Sequence, residues 1–436
     1  MNKILIYSEI SSPRLNYILN FIFRNVLDVE FIVTQDKSLL MNTEHFSINY
    51  SNDIIANTIN ITPTGLLFQQ NIINTRPDCR LINRIPCLCP SGGDLGFDIF
   101  AAAFFMITRY EEYLPYTPDK NGRFQAVDSL SVKYNFLNIP VVNIWIGKMI
   151  EKLQSIFPHF SYSGSGFKSI VTYDIDVAYA FKGHGLIRNL AASIKDLMTL
   201  HLKNAIDRGK TMLGTQKDPW DVYNVLNRQL GENQLQSIFF FLLGKYSLHN
   251  KNLNKNNNQL KELILELAKT SEIGLHPSFD TFLNPDMIVR EKEHLEKILN
   301  HPVFKSRQHY LKFKLPETYR YLLAAGIKED YSMGYPESTG FRAGTCTPFF
   351  FYDLLKETQT DLKIFPVTVM EGSLFHYLKQ SPEQAIRTIN KLIEEVRNVN
   401  GTFISIWHNH TLSNYGEFSG WKVVHDNMIN KLATFK

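Results

Sequence analysis

Ile170-Val-Thr-Tyr-Asp-Ile-Asp-Val177 decides the fold, because four β-prone residues run straight into two carboxylates placed two residues apart. Side chains of an extended strand alternate faces, so Asp174 and Asp176 share one face while Tyr173 and Ile175 share the other. Neighbouring carboxylates repel, and one takes up a proton unless a cation or base lies between them. A strand ending in such a pair calls for partners from elsewhere in the chain.

Outward from this stretch, apolar strands alternate with amphipathic helices. Strands are expected over 169–173, 237–243, 272–275, 306–309, 331–333, 363–370 and 401–407. Helices are expected over 259–269, 285–299, 316–325, 382–399 and 421–432. Alternation of this kind predicts an α/β fold with a parallel sheet, and seven strands suit an irregular (β/α)7 barrel. Residues 182–235 read as a helical insertion, too long for a simple strand-to-helix connection. The polar run Asn250-Lys-Asn-Leu-Asn-Lys-Asn-Asn-Asn258 reads as a solvated loop without chemistry.

Before the stretch, Ser161-Tyr-Ser-Gly-Ser-Gly166 is the best linker in the sequence. It divides the chain into a smaller α/β or α+β domain over 1–160 and the barrel over 161–436. The smaller part opens with a strand over 4–7, a helix over 13–23 and a strand over 29–34. Further helices are expected over 98–113 and 141–156.

Of 436 residues, 44% are apolar and 20% charged, an ordinary globular balance. The 46 basic and 42 acidic residues form no basic tract, which argues against a nucleic-acid partner. Met1-Asn-Lys-Ile-Leu-Ile-Tyr-Ser-Glu9 turns acidic before a signal peptide's apolar region forms, so an unprocessed, cytoplasmic chain is expected. The most apolar stretch, 97–107, falls well short of the ~20 residues a membrane span needs. Cys79, Cys87, Cys89 and Cys346 lack a zinc-ribbon spacing and read as reduced, buried thiols. Oligomeric state is not legible.

Active sites of parallel barrels lie at the carboxyl ends of the strands. Those ends carry Asp174 and Asp176, then His276, then Arg307 with His309, then Glu371, and last His408. Each has an ordinary reading alone: a hydrogen-bonded structural histidine, an arginine paired with Glu317, a solvated glutamate, an aspartate pair capping a turn. Their joint placement at one end of one sheet points instead to metal binding and proton transfer.

Thr172-Tyr-Asp-Ile-Asp176 resembles the first motif, T-F-D-x-D, of the bacterial polysaccharide deacetylases (carbohydrate esterase family 4, the NodB-homology fold). That resemblance implies Asp174 as general base and Asp176 as a metal ligand. Glu272-Ile-Gly-Leu-His276-Pro-Ser-Phe-Asp280 resembles the second motif, H-[ST]-x-x-H, and implies His276 as a ligand. Phe403-Ile-Ser-Ile-Trp-His408 resembles the final strand, with His408 as general acid. Ser306-Arg-Gln-His309, followed by Leu315-Pro-Glu-Thr-Tyr and Ala324-Ala-Gly-Ile-Lys-Glu-Asp-Tyr-Ser332, resembles the third motif and its sequel. It implies that Arg307 orients the base, with Glu371 helping. Gly340-Phe-Arg-Ala-Gly344 comes one element late, which leaves Arg342 as a supporting or substrate-loop candidate beside Trp407 and His410.

The chain departs from the family at Asp280, which stands where the second metal histidine is expected. The third ligand is then His309, the preferred choice, or Asp280; otherwise the metal is lost. The resemblance covers about residues 165–436, and the first 160 resemble only an uncharacterised region that accompanies some bacterial deacetylase-like domains. It implies a divalent ion, zinc by preference, and a hydrolase removing N-acetyl or other acyl groups from an amino sugar or glycan precursor. A homologue that binds glycan without cutting it, or a hydrolase of another small amide, are the alternatives.

Overall fold

The computed structural model describes residues 3–41, 45–164 and 166–435, so the first two residues of the amino-terminal reading and Ser165 of the expected linker lie outside it. Lys3–Ser8 (β1), Glu30–Thr34 (β2), Phe46–Tyr50 (β3) and Ile59–Ile61 (β4) form a parallel sheet in the order β2-β1-β3-β4. Ile4 and Ile6 face the main core, while Leu5 and Tyr7 pack with Leu40 and Ile55 on the other side, as strand alternation requires. A hairpin pairs Cys79–Ile82 (β5) with Ile85–Leu88 (β6). The helix Ile99–Ile107 is apolar on every side and all nine of its residues are buried. Asp98 caps it, accepting from the Ala101 amide.

The larger sheet contains Lys168–Ile175 (β7), Gln236–Phe241 (β8), Glu272–Leu275 (β9), Lys305–Ser306 (β10), Glu329–Asp330 (β11), Phe349–Asp353 (β12), Thr358–Ile364 (β13), Val369–Met370 (β14) and Thr402–His408 (β15). Their order is β12-β13-β11-β10-β9-β8-β7-β15-β14, and every neighbouring pair is parallel except β12 with β13. Between β13 and β14 the chain changes partners. The Phe365 and Val367 amides donate to the carbonyls of Asp330 and Met333, whereas the Thr368 amide donates to Ile404.

Alternation along β7 sorts its side chains between two cores. Val171, Tyr173 and Ile175 join the cluster shared with the helices. Ile170 instead packs with Ile238, Phe240, Tyr331, Val367, Ile404 and Ile406 in a separate cluster on the opposite face of the strands. Thr172 and Asp174 lie on the same face as Ile170, toward the carboxyl end.

The expected insertion holds three helices, Leu186–Met198, Leu202–Met212 and Tyr223–Glu232. Among the described residues no helix is long and apolar enough to cross a membrane, and all four cysteines are free. Several sequence expectations change: the strand expected over 331–333 lies at Glu329–Asp330, that over 363–370 is divided between β13 and β14, and the helix expected over 98–113 ends at Ile107. The strand expected over 306–309 stops at Ser306, and His309 opens a tight turn, His309–Leu311, in which Tyr310 and Leu311 have φ of 62° and 49°. The run 250–258 is not solvated throughout, because Asn250 is fully buried by its hydrogen bonds to the neighbouring loop and Asn257 caps the helix Asn258–Leu267.

The amino- and carboxy-terminal parts share one apolar cluster that runs from Ile4 to Leu432. Polar contacts cross it as well. Arg342 grips Glu112 through two bonds of 2.9 and 2.7 Å, and Arg109 bonds the same glutamate at 2.7 Å and the Arg342 carbonyl. Tyr17 donates to the Phe350 carbonyl at 2.6 Å.

Candidate metal centre

In-register pairing brings the unusual residues to one level. β15 sets His408 opposite Asp174, β8 sets Phe240 opposite Asp174, and Leu275 pairs with both Phe241 and Ser306. The residues just beyond those strand ends therefore converge on a cavity of about 220 Å³. Asp174, Asp176, His276, His309, Glu371, His408 and His410 line it, joined by Arg123 from the amino-terminal part and by Tyr310, His376 and Tyr377.

Asp176 sits between three imidazoles. Its carboxylate lies 3.2 Å from His276 Nε2, 3.5 Å from His309 Nε2 and 3.7 Å from His408 Nε2. Asp176, His276 and His309 offer ligand atoms that all fall within 4.8 Å of one another. Both histidines are held by their other nitrogen. His276 Nδ1 donates to the Arg307 carbonyl at 2.5 Å, and His309 Nδ1 donates to the Asn250 side-chain oxygen at 3.3 Å. In the neutral ring that leaves each Nε2 as a lone pair aimed at a carboxylate, an arrangement that repels unless a proton or cation stands between. Asp176 Oδ1 is buried and accepts no hydrogen bond from the described residues. An unbonded carboxylate oxygen with two oriented imidazoles fits a divalent ion such as zinc.

The charges follow the same logic. Burial would raise the Asp176 carboxyl, but His309, His276 and His408 hold it well below the usual carboxylate range. Burial keeps His309 low, whereas Asp174 and Asp176 outweigh burial at His276 and raise it.

On one side of this cluster Arg307 is fully buried over the Phe240 ring and donates to Asp174 at 2.9 Å, Thr172 at 2.6 Å and the Tyr331 carbonyl at 3.0 Å. On the other, Glu371 accepts from the His408 amide and from its Nδ1, both at 2.7 Å, and from Thr411 at 3.0 Å. Burial opposes protonation of His408, but the Glu371 charge and hydrogen bond, with Asp176 and Asp174 beyond, push it up to about 10. His410 lies beside it and is pushed down to about 4, by burial first and by the His408 charge second.

Of the residues named from the sequence, Arg307 lies buried behind Asp174 and does not line the cavity, and three others fall outside it altogether. Asp280 turns away from the cluster and accepts from the Asn250 side chain at 2.9 Å. Trp407 shares the outer face with Tyr173, because alternation along β15 sends it opposite to His408, and it packs on His425. Arg342 is buried against Glu112, which its position after β11 places at the seam between the two parts. Tyr310, His376 and Tyr377 of the lining went unread, and so did two residues that support the site. Asn250 was hidden inside an asparagine-rich run, and Arg123 lies far away in sequence; its guanidinium is held by Asp119 and donates to the Tyr310 carbonyl at 2.7 Å, beside His309.

Residues 4–158 match a family of unknown function (DUF7033), and no curated protein matches the chain. Among solved structures, the chain is similar to a protein from Mycobacterium smegmatis assigned as a polysaccharide deacetylase, at 13% identity and a TM-score of 0.41, over 64% of this chain and 87% of that one. It is also similar to the PuuE allantoinase at 10% identity and a TM-score of 0.39, over 62% and 84% of the two chains. A third is a polysaccharide deacetylase from Bacillus cereus, at 9% identity and a TM-score of 0.29, over 62% and 88%.

Proposed function

We propose that this protein is a metal-dependent amide hydrolase of the polysaccharide-deacetylase kind, removing an acyl group from an amino sugar or glycan precursor. The carrying observation is the Asp176, His276 and His309 cluster with a buried Asp174–Arg307 pair on one side and a His408–Glu371 pair on the other. In this reading the segment from β13 to β14 bonds to β11 at its start and to β15 at its end, closing a (β/α)7 barrel, and residues 1–160 form a supporting unit.

Asp176, His276 and His309 hold the ion. Zinc, when bound, supplies an acidified water and polarises the acyl carbonyl. Asp174, oriented by Arg307, takes the proton of the attacking water. His408 carries a proton into neutral pH because Glu371 accepts from its other nitrogen, and it delivers that proton to the departing amine as the C–N bond breaks. Asp280 serves at one remove, steadying Asn250, which steadies His309.

Metal content decides this. Protein stripped with chelator and refilled is expected to bind one equivalent of zinc, to lose it in Asp176→Asn, His276→Ala and His309→Ala, and to keep it in Asp280→Asn. Acetate release from a panel of N-acetylated sugars then reads the activity. Absence of stoichiometric metal at millimolar zinc would sink the enzyme reading, and zinc kept in His309→Ala but lost in Asp280→Asn would transfer the third ligand to Asp280.

A further inference from the structure

The first two helices of the insertion, Leu186–Met198 and Leu202–Met212, pack on each other as a hairpin whose polarity is inverted. A surface helix ordinarily turns its apolar stripe to the core. Here Leu190, Ile194, Leu197 and Met198, spaced i, i+4, i+7 and i+8, are each more than half exposed, as are Leu202 and Ile206. Met198, Leu200 and Leu213 are 81, 83 and 80% exposed. The side facing the body is polar instead. Asn189 is buried and donates to the Phe181 carbonyl at 3.0 Å. Arg208 pairs with Asp196 at 2.6 Å over the Phe181 ring, and the Tyr415 hydroxyl bonds to Asn204 and Asp207 at 2.9 and 3.1 Å.

Charge is sorted in the same way. Residues 186–217 carry six basic and only two acidic side chains. Both carboxylates, Asp196 and Asp207, are taken up by those inward contacts, while Arg188, Lys195, Lys203 and Lys210 are exposed. The outward surface is thus a leucine-rich stripe fringed by cations with no anion among them. An apolar patch of this kind marks a contact surface. Two copies packed stripe to stripe would bring their lysine fringes together, whereas an anionic lipid surface offers apolar depth and opposite charge at once.

We propose that the 186–213 hairpin is a surface anchor that lays its apolar stripe into an anionic lipid bilayer. It leaves the sheet just after Asp176, and Tyr415, which grips it, lies on the loop that follows His408 and His410. The anchor therefore sits at the same end of the sheet as the cavity. Docking does not depend on the hydrolase reading, since it rests on the hairpin alone.

Co-sedimentation of the full chain with vesicles tests it, using phosphatidylglycerol mixed with phosphatidylcholine against phosphatidylcholine alone. Binding is expected on the mixed vesicles only, weakening with salt and in Lys195→Glu/Lys203→Glu. Leu197→Asp/Leu200→Asp is expected to weaken binding at least about tenfold, since two leucines leave the apolar phase. Both side chains are exposed, so circular dichroism should be unchanged. Failure to sediment with mixed vesicles, or binding that survives the double leucine change, overturns the proposal. So does a wild-type dimer in ultracentrifugation that the leucine variant dissolves without any vesicle binding, which would assign the stripe to a second copy.

Discussion

At the scale of single residues, the pair His408 and Glu371 is where charge is most strongly coupled in the proposed site. Glu371 is fully buried, and after the cost of burial its carboxyl is held low by the His408 charge. His408 is raised in turn, up to about 10. Because the folded value exceeds the ordinary imidazole value, the proton on His408 stabilises the fold fully below about pH 6.5. That contribution is lost as pH rises through about 10. Nuclear magnetic resonance titration of the His408 ring in the metal-free chain should place its midpoint far above that of a free imidazole. Glu371→Gln should lower the midpoint by about one unit or more, since the largest favourable interaction is gone. An unmoved midpoint would remove Glu371 from the role given to it.

At the scale of elements, the turn after β10 does what a regular strand could not. A continued strand would have alternated Arg307 and His309 onto the same face at fixed spacing. The tight turn instead drops Arg307 beneath Asp174 and swings His309 toward Asp176. The turn is held from outside, by the Arg123 bond to the Tyr310 carbonyl and the Asn250 bond to His309. Groups that orient a ligand from behind are worth about 10- to 100-fold in metal affinity. Asn250→Ala should therefore weaken zinc binding by about that factor in a competition with a chromogenic chelator. A change below about twofold would show that His309 is placed by its own turn alone.

At the scale of the whole molecule, the two parts are held by one apolar cluster and by the Arg109–Glu112–Arg342 network across it. Removing one partner of a buried ion pair costs about 3–5 kcal/mol, because the other charge is left in a dry environment. Arg342→Met should lose about that much stability in urea while retaining a single transition. Trp145 reports from the amino-terminal part and Trp407 from β15. Two separate transitions in the wild-type chain would mean that the parts unfold independently.

What the sequence determined by itself is what depends on near neighbours. Period-two alternation fixed which face Asp174 and Asp176 share, and strand-helix alternation predicted the parallel sheet. The strand-end positions of His276, Arg307, Glu371 and His408 were legible because an active end of a parallel sheet is a local property of each strand. Trp407 was misread although its signal was present, since alternation sends it opposite to His408. Only the tertiary structure decided the rest. Spacing allows both Asp280 and His309, with a preference for His309, and it is a turn held by Arg123 and Asn250 that brings His309 beside Asp176 while Asp280 stays on Asn250. Which asparagine of the 250–258 run is buried, and which side of the 186–213 hairpin faces outward, depend on contacts hundreds of residues away in some cases. Tyr415 and Asp207 are one such pair. Periodicity describes a face; only packing says what that face meets.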